Sequence, residues 1–259
     1  MSEHNFEVES GKSIKLLTKN KVCTEDIVVS AYGGSGGGEE LFNSYLNEEM
    51  TNFIAPKEVS TVRAYLFYKD TVIKTADLRN ATYIGVEAFR DSTLEEVILN
   101  DDFNIGYENI FGARIFQNTQ LVNINSTLGC NITSISPNVF GNCLKLKNVS
   151  LPNIYLNGAI QVFNGCSALE TVVLKGGGKI ATRNFLNCSS LTTLILNGNG
   201  VPQLTNIDNF TATPIESGAG YIYVPKALIE QYKVATNWVT FASQFRAIED
   251  YPEICGGAE

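Results

Sequence analysis

The most constraining feature of this sequence is a unit that repeats along most of its length. Each unit has one phenylalanine, followed five or six residues later by an aliphatic residue that opens an L-x-x-V-x-L-like run. The steps between successive phenylalanines are 22, 27, 24, 23 and 22 residues, at Phe67, Phe89, Phe116, Phe140, Phe163 and Phe185. A period of about 20–29 residues indicates coils that stack into a solenoid.

The spacing within one unit explains why the coils stack. In the run from Leu94 to Leu99, Val97 and Leu99 are two residues apart and therefore point to the same side of a strand. Each coil directs one phenylalanine and three aliphatic side chains inward, and only neighbouring coils can bury them. We therefore predict an α/β repeat solenoid, a leucine-rich-repeat stack of six to seven coils with a parallel β-sheet.

A solenoid needs closed ends, and both ends carry apolar segments that fit this role. Residues 39–60 include Leu41, Phe42, Tyr45, Leu46 and Phe53 and are predicted to cover the first coil. After a strand over 221–225, a first helix from about Ala227 places Leu228, Tyr232 and Ala235 on one face. A second predicted helix, beside Trp238, carries Phe241, Phe245 and Ile248.

The N-terminal region has a different organisation. Residues 33–38 consist of glycine and one serine and indicate a flexible linker. Before it, strands over 13–17 and 27–30 with a turn over 18–21 predict a small β-hairpin, which is marginal alone and needs a partner. The predicted domains are an attachment segment over 1–32, the linker over 33–38, the capped solenoid over 39–220, and a C-terminal strand and helical cap over 221–259.

Charge and hydropathy exclude several classes of protein. The net charge is −8 and basic residues form no cluster, so we expect no nucleic-acid partner. No apolar stretch approaches the ~20 residues that cross a bilayer, so we expect no membrane insertion. The first residues are acidic and polar, which predicts export, if any, without a secretory signal peptide or within a larger assembly.

Three of the six cysteines occupy one position of the repeat. Cys143, Cys166 and Cys188 each follow the repeat phenylalanine by three residues, where earlier units have Asp70, Ser92 and Thr119. One hypothesis is a disulfide or metal site, and the other is a ladder of small, half-buried residues where each coil turns. The exchange with serine, threonine and aspartate favours the structural ladder, as does the absence of a C-x-x-C motif.

No constellation of residues supports catalysis. The only histidine is His4, and Asp101, Asp102 and Glu108 lie in the longest insertion, where acidic residues are usually solvated. Residues 10–13 end like a phosphate loop, but Phe6 stands where that motif needs glycine, and residues 176–178 are predicted to form a turn. We therefore predict no enzyme, no cofactor, and no catalytic, cofactor-binding or metal-binding residues.

The outward side chains of the parallel sheet are the remaining candidate site. One predicted row holds Glu96, Asn123, Asn148, Thr171 and Thr193, and a second holds Asp77, Ile98, Asn125, Ser150, Val173 and Ile195. Ile98, Val173 and Ile195 are more apolar than a solvated sheet requires. Such a patch marks either an interface or a surface covered by the protein's own loops.

The repeats resemble the BspA-type family of leucine-rich repeats over about residues 60–250. The I-G-x-x-A-F pattern is met at 84–89, the F-x-x-C-x-x-L form begins at Phe140, Phe163 and Phe185, and the ending I-Y-V-P at 222–225 precedes Y-K-x-A-x-N-W at 232–238. The unit of Phe116 departs from the pattern, since it lacks the cysteine and the closing leucine.

The family includes bacterial surface adhesins and phage virion proteins, and residues 19–29 resemble the short β modules that begin many phage tail and fibre proteins. The resemblance implies a non-enzymatic phage structural protein of the tail, fibre or head. Its N-terminal segment would bind virion proteins, its solenoid a host cell-surface protein or glycan or another virion protein, and it would form a homo-oligomer in the virion. The alternative is a bacterial cell-surface adhesin.

Overall fold

The structure is a computed structural model. It describes residues 17–18, 21–22, 51–54, 61–79, 81, 83–99, 110–111, 113–125, 134–151 and 153–255. The predicted linker and most of the attachment segment lie outside these ranges.

A nine-stranded parallel sheet forms one side of the solenoid, and its strands follow one another in chain order. Each coil contributes one strand of three or four residues, as the L-x-x-V-x-L runs predict. The nine strands are Asn52–Ile54, Thr75–Asp77, Glu96–Ile98, Asn123–Asn125, Asn148–Leu151, Thr171–Leu174, Thr193–Leu196, Tyr221–Val224 and Phe245–Ala247.

The strands are in register, so equivalent residues of successive coils lie side by side. Val149 aligns with Val172, and Val172 with Leu194. The unit of Phe116 keeps this register although it lacks the closing leucine, because Ile124 aligns with Val97. Parallel pairing in register therefore determines which residues of successive coils lie beside one another in the sheet.

Short parallel pairs form the other side of the coils. The pairs are Thr61–Val62 with Tyr83–Ile84, Ile110–Phe111 with Ser134–Ile135, and Lys179–Ile180 with Gln203–Leu204. Their inward residues Val62, Ile84, Ile135 and Ile180 are buried. These are the aliphatic residues that precede a repeat phenylalanine by five positions.

A stack of seven phenylalanines runs through the core between the two sides. Consecutive rings are 4.9 to 5.8 Å apart at their centroids and nearly parallel. The seventh ring is Phe210, which the sequence pattern missed because no L-x-x-V-x-L run follows it. Each ring is fully buried, which contributes about 2–3 kcal/mol relative to an exposed ring. The stack therefore links all coils into one core.

The three cysteines of the repeat form the predicted structural ladder and are free thiols. Cys143, Cys166 and Cys188 each donate from Sγ to the carbonyl of the repeat phenylalanine one coil earlier, over 2.9 to 3.1 Å. The expectation of half burial is wrong, since all three are fully buried. Burial raises the pKa of Cys188 to about 12 and that of Cys166 well above its usual value. The thiols of Cys166 and Cys188 therefore stay protonated, and protonated thiols are poor metal ligands and nucleophiles.

Two asparagines stand directly before the phenylalanine in the last coils, where the earlier coils have an aliphatic residue. Asn184 is fully buried, and its Nδ2 donates to the carbonyls of Ala159 and Ala181, while its Oδ1 accepts from the Val162 N–H. Asn209 continues the arrangement, because its Oδ1 accepts from the Asn184 N–H over 2.9 Å. These amides satisfy backbone groups that would otherwise be buried without a partner.

Every coil also turns through a left-handed residue two positions after its phenylalanine. The φ angles are between 57° and 78° at Lys69, Asp91, Asn118, Asn142, Gly165, Asn187 and Ala212. Asn142 donates from Nδ2 to Asn118 Oδ1 over 3.1 Å, and a Cβ at Gly165 would lie 2.1 Å from Asn142 Oδ1. Asparagine, aspartate and glycine tolerate this conformation best.

The C-terminal cap combines short helical segments with one strand. A 3₁₀ turn, Lys226–Leu228, leads into the α-helix Ile229–Val234, and Tyr232 is buried as predicted. Leu228 and Ala235 also pack against the core. The remaining helical segments are the 3₁₀ turns Ile207–Phe210, Trp238–Phe241 and Ile248–Asp250 and the α-helix Pro252–Cys255.

The second predicted cap helix is wrong. Phe245–Ala247 is the ninth strand, in which Phe245 aligns with Ile222 of the preceding strand. The spacing of Phe241, Phe245 and Ile248 fits a helix, but the open edge of the sheet offers backbone hydrogen bonds that one-dimensional periodicity does not reveal. Ile248 consequently lies on the opposite side of the sheet from Phe245.

At the other end, the described residues test the predictions in part. Phe53 lies in the first strand and meets Phe67 edge to face at 4.9 Å, so it covers the end of the phenylalanine stack. The N-terminal hairpin pairs Leu17–Thr18 with Lys21–Val22, so its two strands overlap the ends of the predicted turn. The predicted second strand over 27–30 lies outside the described residues. The remaining predicted cap residues Leu41, Phe42, Tyr45 and Leu46 lie outside the described residues.

Replacing Asn184 with alanine is expected to lower the free energy of unfolding by about 3 kcal/mol, because three buried backbone groups lose their partners. Urea titration followed by the emission of the only tryptophan, Trp238, measures the change. The exposed Asn199 serves as the control, and its alanine variant should stay within about 0.5 kcal/mol of the native chain. Equal stabilities of the two variants would contradict a structural role for Asn184.

Ala212→Gly is expected to stabilise the chain by about 1 kcal/mol, against the usual direction for this substitution. Ala212 has a φ of 60°, where alanine is strained and glycine is not. Ala219→Gly, at an exposed position outside the left-handed region, should destabilise the chain. Thermal unfolding of the two variants measures both changes in stability. A loss of stability in Ala212→Gly would show that the backbone at Ala212 is not strained.

Candidate functional site

The candidate site is the outer face of the nine-stranded sheet, defined as the strand positions that alternate with the positions facing the phenylalanine stack. Its first row consists of Asn52, Thr75, Glu96, Asn123, Asn148, Thr171, Thr193 and Tyr221. Its second row consists of Ile54, Asp77, Ile98 and Asn125, then Ser150, Val173, Ile195, Tyr223 and Arg246. Both predicted rows are confirmed and extended at each end.

The first row is polar over eight successive strands. Asn148 is exposed, and Thr171 and Thr193 are half-buried between their neighbours. At the N-terminal end, the Thr75 hydroxyl donates to Asn52 Oδ1 over 2.7 Å. In-register hydroxyl and amide groups on a rigid sheet give a regular series of hydrogen-bond donors and acceptors.

Charged side chains of both signs flank the first row. Lys74 donates to Glu95 over 2.7 Å across neighbouring coils, and this contact lowers the pKa of Glu95. Lys147 and Glu170 are exposed at the equivalent position of the later coils. The charges alternate between coils, so the face does not select a partner by net charge.

The second row changes character along the solenoid. At its start, Ile54 is 45% exposed, and Asp77 binds the Arg79 guanidinium through both carboxylate oxygens. The hydrogen bond from Arg79 lowers the pKa of Asp77, which stays ionised. Ile98 is half-buried and Ser150 is exposed. The second row is therefore exposed at Ile54 and Ser150 and half-buried at Asp77 and Ile98.

The part of the second row nearest the C-terminus is covered by the chain itself. Val173, Ile195 and Tyr223 are only 8%, 2% and 4% exposed, because Ile248 and Tyr251 pack over them. The ring of Tyr251 meets that of Tyr223 edge to face at 5.4 Å. The question that the sequence left open, interface or covered surface, is thus answered for Val173 and Ile195.

The outer face ends in an aromatic–cation pair. The Arg246 guanidinium lies 4.2 Å from the ring centroid of Tyr221, which is 38% exposed. Arg246 also donates to the carbonyls of Ser243 and Phe245, so its position is fixed. The alternation in residues 221–224 could have identified Tyr221 and Tyr223 as outward residues. Arg246 could not be found, because its strand was predicted to be a helix.

The other sequence motifs contribute nothing to this face. Glycines 176–178 form a bend between the strands Thr171–Leu174 and Lys179–Ile180, where the unit of Phe163 leads into that of Phe185. His4, residues 10–13, Asp101, Asp102 and Glu108 lie outside the described residues. Within the described ranges, no three histidine, cysteine, aspartate or glutamate side chains come together as metal ligands would. Every helix that the structure describes is too short or too polar to cross a lipid bilayer.

Three solved structures are similar in fold. A leucine-rich repeat protein from Bacteroides ovatus has 20% identity and a TM-score of 0.48, with 76% of this chain and 54% of that chain covered. A leucine-rich repeat protein of T. pallidum has 18% identity and a TM-score of 0.42, with 57% of this chain and 72% of that chain covered. The pneumococcal vaccine antigen PcpA has 16% identity and a TM-score of 0.45, with 76% of this chain and 54% of that chain covered. The aligned part of this chain spans about half the length of the first and third.

The comparison with protein families gives a more specific result. No curated protein shows significant similarity to this chain. The model of the BspA type leucine rich repeat region, however, matches residues 38–114 and 109–217 in six copies. These ranges cover more than half of the chain and include all seven stacked phenylalanines. The chain therefore belongs to the family of BspA type leucine-rich-repeat proteins.

Proposed function

We propose that this chain is a non-enzymatic binding protein whose outer face binds a macromolecule through many weak contacts. The observation that carries the proposal is the first row, a polar series in register over eight strands. The inner side of the same strands is fully committed to the core. The sheet can therefore present side chains to a partner without any change in its own packing.

The chemistry of the face favours a protein or glycan of a host cell surface. Hydroxyl and amide groups dominate the first row, and these groups exchange hydrogen bonds with either class of partner. Rigid strands keep the cost of ordering the contact residues low. Each contact is weak alone, and the length of the row supplies the affinity.

The biological setting that we propose is a phage virion, with the chain as part of the tail, a fibre or the head. Residues 1–32 would attach it to other virion proteins as a homo-oligomer. A two-stranded hairpin such as Leu17–Thr18 with Lys21–Val22 is marginal alone, which favours a docked or oligomeric state. The glycine-rich residues 33–38 would then let the solenoid orient toward its target. A bacterial cell-surface adhesin is the competing proposal.

Asn148→Arg places a long cation in the middle of the first row and should reduce binding to susceptible cells at least tenfold. Intact cells of a bacterial panel, incubated with the fluorescently labelled chain, provide the measurement. Gln203→Arg is the matched control, because Gln203 is exposed on the short strands of the opposite side. Equal loss of binding in both variants would reject the outer face as the binding surface.

Deleting residues 1–38 should leave the solenoid folded and abolish its incorporation into particles. Trp238 emission reports folding, and immunodetection in purified virions and in cell envelopes reports location. Normal incorporation of the shortened chain would refute the attachment role. Recovery of the full chain in cell envelopes and not in virions would favour the adhesin.

A further inference from the structure

The C-terminal segment 248–251, here called the strap, makes a second apolar cluster on the outer face. Ile248 and Tyr251 of the strap cover Val173, Ile195 and Tyr223, which lie side by side on three neighbouring strands. We call these three residues the apolar strip. The sheet separates this cluster from the main core, to which neither strap residue belongs.

Polar contacts hold the strap in place at one point. The Glu249 carboxylate accepts from the backbone N–H of Lys226 over 2.9 Å, and the Lys226 ammonium donates to Asp250 over 2.9 Å. All these groups are exposed, so water competes for each contact. The strap therefore depends mainly on the burial of Ile248 and Tyr251.

The separation of the two clusters has a mechanical consequence. Release of the strap uncovers the apolar strip but removes no side chain from the phenylalanine stack or from the cap around Trp238. The main core, which contains the buried Trp238 and Tyr232, can stay folded while the strap is open. Local opening of this kind costs less than global unfolding.

From this arrangement we infer that the strap is an internal ligand that masks a peptide-docking site on the outer face. The inference rests on the proposed binding function of that face. The occupant of the open site is a protein segment that repeats the strap's chemistry: an aliphatic residue, two acidic residues, then an aromatic residue. The apolar strip receives the first and last side chains, and Lys226 receives the acidic ones.

The strap itself is the template for this partner, since it shows which side chains the strip accepts. A strip of valine, isoleucine and tyrosine buries apolar side chains, and the acidic residues between them match the Lys226 ammonium beside it. Because the strap directly follows the strand Phe245–Ala247, its contact with the apolar strip is intramolecular and is favoured over that of a free peptide. A free peptide of the same sequence competes poorly until the strap is weakened.

The test uses the full chain with Ile248→Ser and Tyr251→Ser, which weakens the strap, and a synthetic peptide of residues 247–254. Calorimetric titration should show saturable binding to the variant, at least tenfold tighter than to the native chain. A peptide with serine at both apolar positions should bind the variant at least tenfold more weakly. Trp238 emission and thermal unfolding verify that the variant is folded, and Tyr251→Ser alone is the milder second variant.

Val234→Ser with Val239→Ser is the matched control, since it also removes two exposed apolar side chains of the C-terminal cap. It should bind the peptide no better than the native chain does. Absence of saturable binding to both folded strap variants, or equal binding to the native chain, would overturn the inference. No cells are used, so this result is independent of the Asn148→Arg experiment that tests the outer face itself.

Discussion

The structure depends on the in-register stacking of coils around a column of phenylalanines. Rings from Phe67 to Phe210 lie within 5.8 Å of their neighbours and are almost parallel, which is possible only if consecutive coils have the same shape. A ring without neighbours would expose both faces to water. The stack therefore makes each coil stable only as part of the array, and its geometry fixes the register of the sheet.

The repeat also provides hydrogen-bond partners for polar groups that are buried in the interior. Each coil brings backbone carbonyls into the interior, and small side chains of the same coil or of the next coil satisfy them. Cys166 donates to the carbonyl of Phe140, Thr119 to that of Phe116, and Asn184 to those of Ala159 and Ala181. This role explains why cysteine and threonine exchange at one position, since a hydrogen-bond donor of small volume meets the requirement.

The interior positions are committed in this way, which leaves the outer face as the side of the sheet that the phenylalanine stack does not use. The first row presents hydroxyl, amide and carboxylate groups at equal spacing, and it is this side of the sheet that can meet a partner. The second row divides into an open part near Ile54 and a part that the strap covers near Tyr223. One sheet thus carries both a surface for weak polar contacts and a masked apolar site.

The sequence by itself determined the coils, their register and both outward rows. Apolar residues two positions apart within strands, and phenylalanines 22 to 27 residues apart, are visible directly in the sequence. It also indicated the structural ladder of cysteines. The tertiary structure alone decided that Phe210 joins the stack, that Phe245–Ala247 is a strand and that Ile248 and Tyr251 cover Val173 and Ile195. These features depend on the open edge of a sheet and on contacts between distant residues. A periodic pattern within one segment does not reveal such contacts, because each contact depends on two segments that are separate in the sequence.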